Sequence, residues 1–290
     1  KSCQKGDKVY KVFKEKSVFC AKIGTSLENF RLIGAHIDSP RLDLKPQPFI
    51  DKEGLGLLKS HYYGGIKKYH WVNVPLAMYA VVHTKKGKIE FSVGNEENEP
   101  KFIIPDLLPH LAKEQLDKKG GKIVEGEQLA IIVGNIPVNS EPIKEKVKLN
   151  VLEILNKKYG VVEKDFLSAD IEFVPAIKPS EIGFDKSMIS AYGQDDRVCT
   201  FTTMKAVLDS KAKNTIIGMF VDKEEIGSMG NTGANSRILE NFILDLTRLC
   251  GFKGMVHQLF ENSKAISADV TAAHNPNFPE AHDATNVSLL

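Results

Sequence analysis

Apolar runs closed by glycine or by charge outline this chain. Phe30-Arg-Leu-Ile33 runs into Gly34-Ala-His-Ile-Asp-Ser-Pro-Arg41, which predicts a short strand and a turn, with Pro40 unable to donate to a ladder. Ile216-Ile-Gly-Met-Phe-Val221 predicts a buried strand that breaks at Asp222 into the Gly-rich loop Asp222-Lys-Glu-Glu-Ile-Gly-Ser-Met-Gly-Asn-Thr-Gly-Ala234. Ala265-Ile-Ser267 predicts a third strand, leading into Ala268-Asp-Val270. Between these runs the apolar period lengthens to that of a helix. Val198, Phe201, Met204, Lys205 and Leu208 give one helix an apolar face, with Asp196 placed as its N-cap. Ile238, Leu239, Phe242, Ile243 and Leu246 are the buried stripe of a second.

From residue 47 to 176 the texture is different. Trp71-Val-Asn-Val74 and Met78-Tyr-Ala-Val-Val-His-Thr84 predict strands, Lys85–Lys88 a turn and Ile89–Val93 the return strand of a hairpin, and Leu129–Val133 another strand. Ile143, Val147, Val151, Leu152 and Leu155 recur at helical spacing, with Gly160 as a stop. The pattern predicts an α/β domain with a mixed sheet, formed by residues 1–46 and 177–290 and interrupted by a β-rich domain over 47–176. His61, His70, His83 and His110 fall in the inserted block and read singly as surface or packing residues.

Composition changes this picture little. The chain has 290 residues, 42% hydrophobic and 26% charged, with a formal net charge of +2. Bulk charge therefore points to neither nucleic acid nor a membrane surface, and no segment approaches the ~18 apolar residues needed to span a bilayer. Cys3, Cys20, Cys199 and Cys250 are scattered without a C-x-x-C pair, as expected of reduced thiols in a cytoplasmic protein. Lys1 at the first position and the stop at Leu290 without a closing element lead us to expect a chain incomplete at both ends.

The polar residues at the ends of the apolar runs carry the candidate chemistry. His36 and Asp38 are two apart, so on extended backbone they face one side, where a carboxylate can fix the tautomer of a ligating histidine. Asp195 and Asp196 open a helix, and capping needs only one of them. Glu224 and Glu225 follow one strand and Asp269 another. In open α/β sheets, ligand crevices form beyond the carboxyl ends of strands. Carboxylates with one imidazole suit zinc, manganese or cobalt. One bridging carboxylate could hold two ions about 3.5–4 Å apart, leaving another carboxylate free as general base.

Gly34-Ala-His-Ile-Asp-Ser-Pro-Arg-Leu-Asp-Leu-Lys-Pro46, Tyr192-Gly-Gln-Asp-Asp-Arg197, Asp222-Lys-Glu-Glu-Ile-Gly-Ser-Met-Gly230 and Ser267-Ala-Asp-Val270 closely resemble, in the same order, the motifs of the aspartyl aminopeptidase and vacuolar aminopeptidase I family of metallopeptidases. The resemblance implies an aminopeptidase with two divalent ions per subunit, zinc foremost. His36 would ligate one zinc with Asp38 in support, Asp195 would bridge both ions, Asp196 would shape the turn, Glu225 would ligate the second ion and Asp269 the first. Glu224 would be the general base. The resemblance also implies a zinc-exopeptidase-like catalytic domain, an inserted dimerisation domain, peptide substrates, and homo-oligomers reaching a dodecamer built from dimers. In the family, a histidine of the dimerisation domain reaches a neighbouring active site. Leu107-Leu-Pro-His-Leu-Ala112 resembles that segment, which makes His110 the candidate.

The sequence departs from the family in one respect. The family carries a further ligand histidine nearer its C-terminus, after a Gly-rich loop, and nothing here matches that segment. His274 and His282 follow Asp269 too closely to fill the place, and Thr247–Lys253 reads as though residues were missing nearby. A metal-dependent deacylase on the same scaffold and a catalytically inactive assembly scaffold are the alternative readings.

Overall fold

The computed structural model describes residues 3–139, 141–211 and 213–289. In chain order the strands are β1 (Lys8–Phe13), β2 (Ser17–Lys22), β3 (Ser26–His36), β4 (Arg41–Lys52), β5 (Leu55–Tyr63), β6 (Leu76–Thr84), β7 (Gly87–Val93), β8 (Ala130–Gly134), β9 (Asp170–Pro175), β10 (Ser180–Ile182), β11 (Met188–Ser190), β12 (Asn214–Val221) and β13 (Lys264–Ser267). The helices are α1 (Lys113–Leu116), α2 (Lys146–Tyr159), α3 (Gln194–Asp209), α4 (Ile238–Leu249) and α5 (Val256–Glu261). The chain divides into two compact units, Lys1–Ser39 with Gly193–Leu290, and Pro40–Tyr192. The junctions thus lie at residues 39/40 and 192/193. The texture change near residue 47 falls inside β4, and the β10–β11 hairpin stays with the middle unit.

The first unit holds a mixed five-stranded sheet in the order β1-β2-β12-β3-β13. β12 and β13 both pair with β3 in parallel, Val221 opposite His36 and Ser267 opposite Gly34. The carboxyl ends of three neighbouring strands are therefore level, and they are the ends that carry His36, Glu224 and Asp269. β2 is antiparallel to both β1 and β12. Phe19, Phe30, Ile217, Phe242, Ile243, Leu246 and Leu259 build the core. Phe19 and Phe242 pack with ring centroids 5.3 Å apart. Burying each such side chain stabilises the fold by about 1.5–3 kcal/mol before conformational entropy is counted. The buried stripe of α4 is the one its spacing predicts.

Helix α3 departs from its pattern in two ways. Its apolar positions Val198, Phe201 and Met204 are exposed, and the inward positions are Asp196, Thr203 and Val207. Asp196 stands just before the regular helix, as its placement predicts, but its carboxylate accepts the His36 N–H instead of a first-turn N–H. Gly193 stands at the N-cap with no side-chain bond, and Asp195 and Asp196 have non-helical backbone angles and are joined by a cis peptide.

The second unit is a six-stranded antiparallel sheet, β7-β6-β9-β4-β5-β8, with α2 beside it and β10–β11 as a separate hairpin. Its core centres on Leu42, Leu76, Ile131 and Phe173. α2 ends at Gly160 with φ 71°, the left-handed stop a glycine supplies without strain. Trp71–Val74 is not a strand. The chain turns there through a short 3-10 segment, Lys68–His70, and Asn73 adopts φ 57°, which is incompatible with a ladder.

Candidate metal centre

The centre is built on His36, the last residue of β3, whose side chain is only 3% exposed. Three bonds fix it. Its backbone N–H donates to Asp196 Oδ2 at 3.3 Å, its carbonyl accepts from Thr200 Oγ1 at 2.9 Å, and its Nδ1 lies 3.0 Å from the Asp38 carbonyl oxygen. Nδ1–H donating to that carbonyl fixes the tautomer, so in the neutral ring the Nε2 lone pair faces outward. Asp38 therefore orients the ring chiefly through its backbone, since its carboxylate stands 3.4 Å from Nδ1. That carboxylate is almost fully buried and accepts the N–H groups of Glu224 at 3.1 Å and Glu225 at 3.2 Å. It thus ties the loop after β12 to the loop after β3.

Around Nε2 lie Asp195 Oδ1 at 3.1 Å, Glu224 Oε2 at 3.7 Å and Asp269 Oδ1 at 3.9 Å. These three side chains are about half exposed, unlike the histidine they surround. Asp195 is held through its carbonyl, which accepts from Ser39 Oγ at 3.3 Å. The turn before it is closed by Gly193 at φ 74°, where a Cβ would also stand 3.2 Å from Ser39 Oγ.

The loop carrying Glu224 and Glu225 is folded by residues that contribute nothing to the cluster. Buried Asp222 receives Thr232 Oγ1 at 2.8 Å and Lys223 Nζ at 3.0 Å. Ser17 Oγ accepts the Asp222 N–H at 3.1 Å and donates to the Thr232 carbonyl at 2.7 Å. Gly233 lies so close to this turn that a Cβ there would be 2.2 Å from Ser228 O. Ser17, Thr200 and Thr232 have no sequence signature as supports, because each acts on a partner distant in the chain or hidden in a loop.

The charges make the cluster uncomfortable on its own. Burial alone would lower the His36 pKa, but the Asp38 hydrogen bond and charge and the Glu224 charge override it and push it up to about 9. Burial, then the charges of Asp195, Asp38 and Glu224, push Glu225 up to about 7 against the pull of His36. Asp196 is raised by burial and by Asp269. Asp196 Oδ1 is buried without a hydrogen-bond partner.

One nitrogen and two carboxylate oxygens, from His36, Asp195 and Asp269, lie within 4.8 Å of one another. A cation among them would neutralise the like charges, and imidazole with hard carboxylates is a donor set that fits zinc. Glu224 flanks this group, while Glu225 is tied to the same loop junction through its N–H on the Asp38 carboxylate. His274 and His282 pack against each other, ring centroids 5.8 Å apart. His110 is exposed in the second unit, on a 3-10 turn over Pro109–Leu111.

The family described as "Aminopeptidase I zinc metalloprotease (M18)" matches residues 1–290. A probable M18 family aminopeptidase 1 of Clostridium acetobutylicum is 46% identical over 293 residues, covering 99% of this chain and 63% of the relative. The crystal structure of an M18-family aminopeptidase from Thermotoga maritima superposes with a TM-score of 0.92 at 44% identity, covering 99% of this chain and 64% of that one. The S. cerevisiae mApe1 dodecamer superposes with a TM-score of 0.73 at 25% identity, covering 98% of this chain and 65% of that one. The chain spans just under two thirds of the length of these relatives. By the family match over residues 1–290 and the 46% identity to an M18 relative, the chain belongs to the M18 family of aminopeptidase I zinc metalloproteases.

Proposed function

We propose that the protein is a metallo-aminopeptidase that removes the N-terminal residue from peptides. The observation that carries this reading is the convergence of His36, Asp195 and Asp269 beside the half-exposed Glu224. Bound zinc supplies Lewis-acid polarisation of a carbonyl and acidifies water. We assign His36, Asp195 and Asp269 to its hold, and Glu225 with the shared Asp195 to a second ion. Glu224 is positioned to take a proton from the attacking water at its carboxylate and return it to the leaving amine. Asp38 positions both glutamates through their N–H groups. The crowd of carboxylates favours a substrate's α-ammonium and repels a terminal carboxylate, which supports removal from the N-terminus. Four free thiols support a cytoplasmic setting.

We assign assembly to the middle unit. Leu107, Leu108, Leu111 and Leu116 are exposed around His110, an apolar patch of the kind that marks subunit interfaces. The dodecameric relative supports a homo-oligomer, in which His110 would approach a neighbouring subunit's site.

Glu224→Gln tests the catalytic assignment. It should lower kcat on aminoacyl substrates by about 10²–10⁴ while zinc content by atomic emission stays at the wild-type level. Near-normal kcat would remove Glu224 from the role. Equal turnover of N-acetylated and free-amino substrates would remove the aminopeptidase reading itself.

A further inference from the structure

A cavity of about 840 Å³ lies within the middle unit. It exists because β4 leaves its sheet. The β4–β5 register runs Leu44 opposite Ser60 and then Phe49 opposite Leu58. Lys45–Pro48 pair with neither β5 nor β9, and only Lys59 faces them from β5. Pro46 and Pro48 have no N–H to give a ladder, so the bulge is written into the sequence. The floor is Phe49, set edge-on against Phe166 with ring centroids 5.0 Å apart. Val162 and Leu167 form an exposed apolar wall.

The rim is cationic. Of its lysines, Lys148 is engaged by Glu163 at 2.8 Å and Glu145 at 3.0 Å. Lys59 and Lys164 have no salt bridge among the described residues, and Glu163 is the one acid in the lining. The cavity thus offers an apolar floor, two ammonium groups outside any close ion pair, of which Lys59 feels Glu127 at longer range, and a stretch of strand outside its ladder. An anion with an apolar body complements the first two features, and amide groups in extended form complement the third.

We propose that this cavity binds the C-terminal end of an extended apolar peptide, its carboxylate on Lys59 and Lys164 and its side chains on Phe49, Val162 and Leu167. The site stands apart from the metal centre in composition and in chain position, and the proposal does not rest on the aminopeptidase reading.

Isothermal titration of the zinc-loaded protein with N-acetyl-Leu-Phe-Leu tests it, because the blocked amine prevents turnover at an N-terminus. The free acid should bind, and the C-terminal amide should bind at least tenfold more weakly. The double variant Lys59→Glu/Lys164→Glu should weaken the acid at least tenfold and leave aminoacyl hydrolysis at the wild-type rate. Leu167→Asp, at an exposed position, should weaken both peptides. Absence of binding at millimolar peptide, equal affinity for acid and amide, or wild-type affinity in the lysine variant would overturn the proposal. Decanoate binding as tightly as the peptide would overturn the assignment to a peptide. Loss of binding in Glu224→Gln would place the peptide at the metal centre and overturn it as well.

Discussion

The two units treat charge in opposite ways. In the middle unit the buried Arg41 sits between acids: Nε is 2.8 Å from Asp43, Nη2 is 3.2 Å from Glu172, and the guanidinium lies 3.7 Å from the Tyr63 ring centre. That group holds one permanent cation centred between two carboxylates and an aromatic ring, and is complete as it stands. In the first unit Asp195, Glu224 and Asp269 crowd one histidine, with Asp38 behind it. Like charges so close oppose folding unless something cationic joins them. The Arg41 set carries a permanent cation between its acids, whereas the His36 set gathers its acids around a group that can lose its charge.

Breaking each set should therefore give different signatures. Arg41→Met leaves two acids without their buried partner and should destabilise the protein by about 3–5 kcal/mol, read by urea unfolding, with zinc affinity within twofold of wild type. Asp269→Asn removes one repelling charge from the other set. It should weaken zinc at least tenfold, about 1.4 kcal/mol, yet raise the melting temperature of the chelated protein. A chelated Asp269→Asn that melts below wild type would show that the acids are not in conflict there.

Acidity sharpens the same contrast. His36 is raised from its ordinary 6.5 to about 9, so its stabilising share in the chelated protein is complete below pH 6.5 and is lost as pH rises through 9. Glu225 is raised from 4.5 to about 7, so the chelated protein also loses stability as that carboxyl ionises between those values. Zinc binding needs His36 unprotonated, so its affinity rises with pH up to about 9. Thermal unfolding from pH 5 to 9 should show stability falling with pH in chelator and the increment due to zinc growing. Parallel curves would mean that His36 does not exchange its proton for the metal.

The reasons some features were legible in the sequence, and others not, lie in the same local physics. The end of β12 was legible because it is a largely buried apolar run that stops at Asp222, and parallel pairing brings the end of β3 level with it. The buried face of α4 was legible because it meets a plain apolar core. The face of α3 was not, because the inner side of a helix beside a charged site is itself polar. Thr200 holds the His36 carbonyl and Asp196 its N–H, so Val198, Phe201 and Met204 point outward. The spacing of His36 and Asp38 was legible, but not that Asp38 would use its carbonyl on the ring and its carboxylate on the next loop.

The smallest expected effect falls on the residues that hold the cluster without joining it. Thr232 is buried and gives its hydroxyl hydrogen to Asp222 Oδ2, closing the loop that carries Glu224 and Glu225. Thr232→Val keeps the shape and removes one donor, while Lys223 Nζ still neutralises the same oxygen at 3.0 Å. The loss should be about 1 kcal/mol, against the several expected at Arg41. Asp38 remains bonded to both glutamate N–H groups, so zinc affinity should stay within twofold of wild type. If zinc affinity instead falls tenfold in Thr232→Val while stability barely moves, the loop's own hydrogen bonds, and not the Asp38 carboxylate, set the positions of the glutamates.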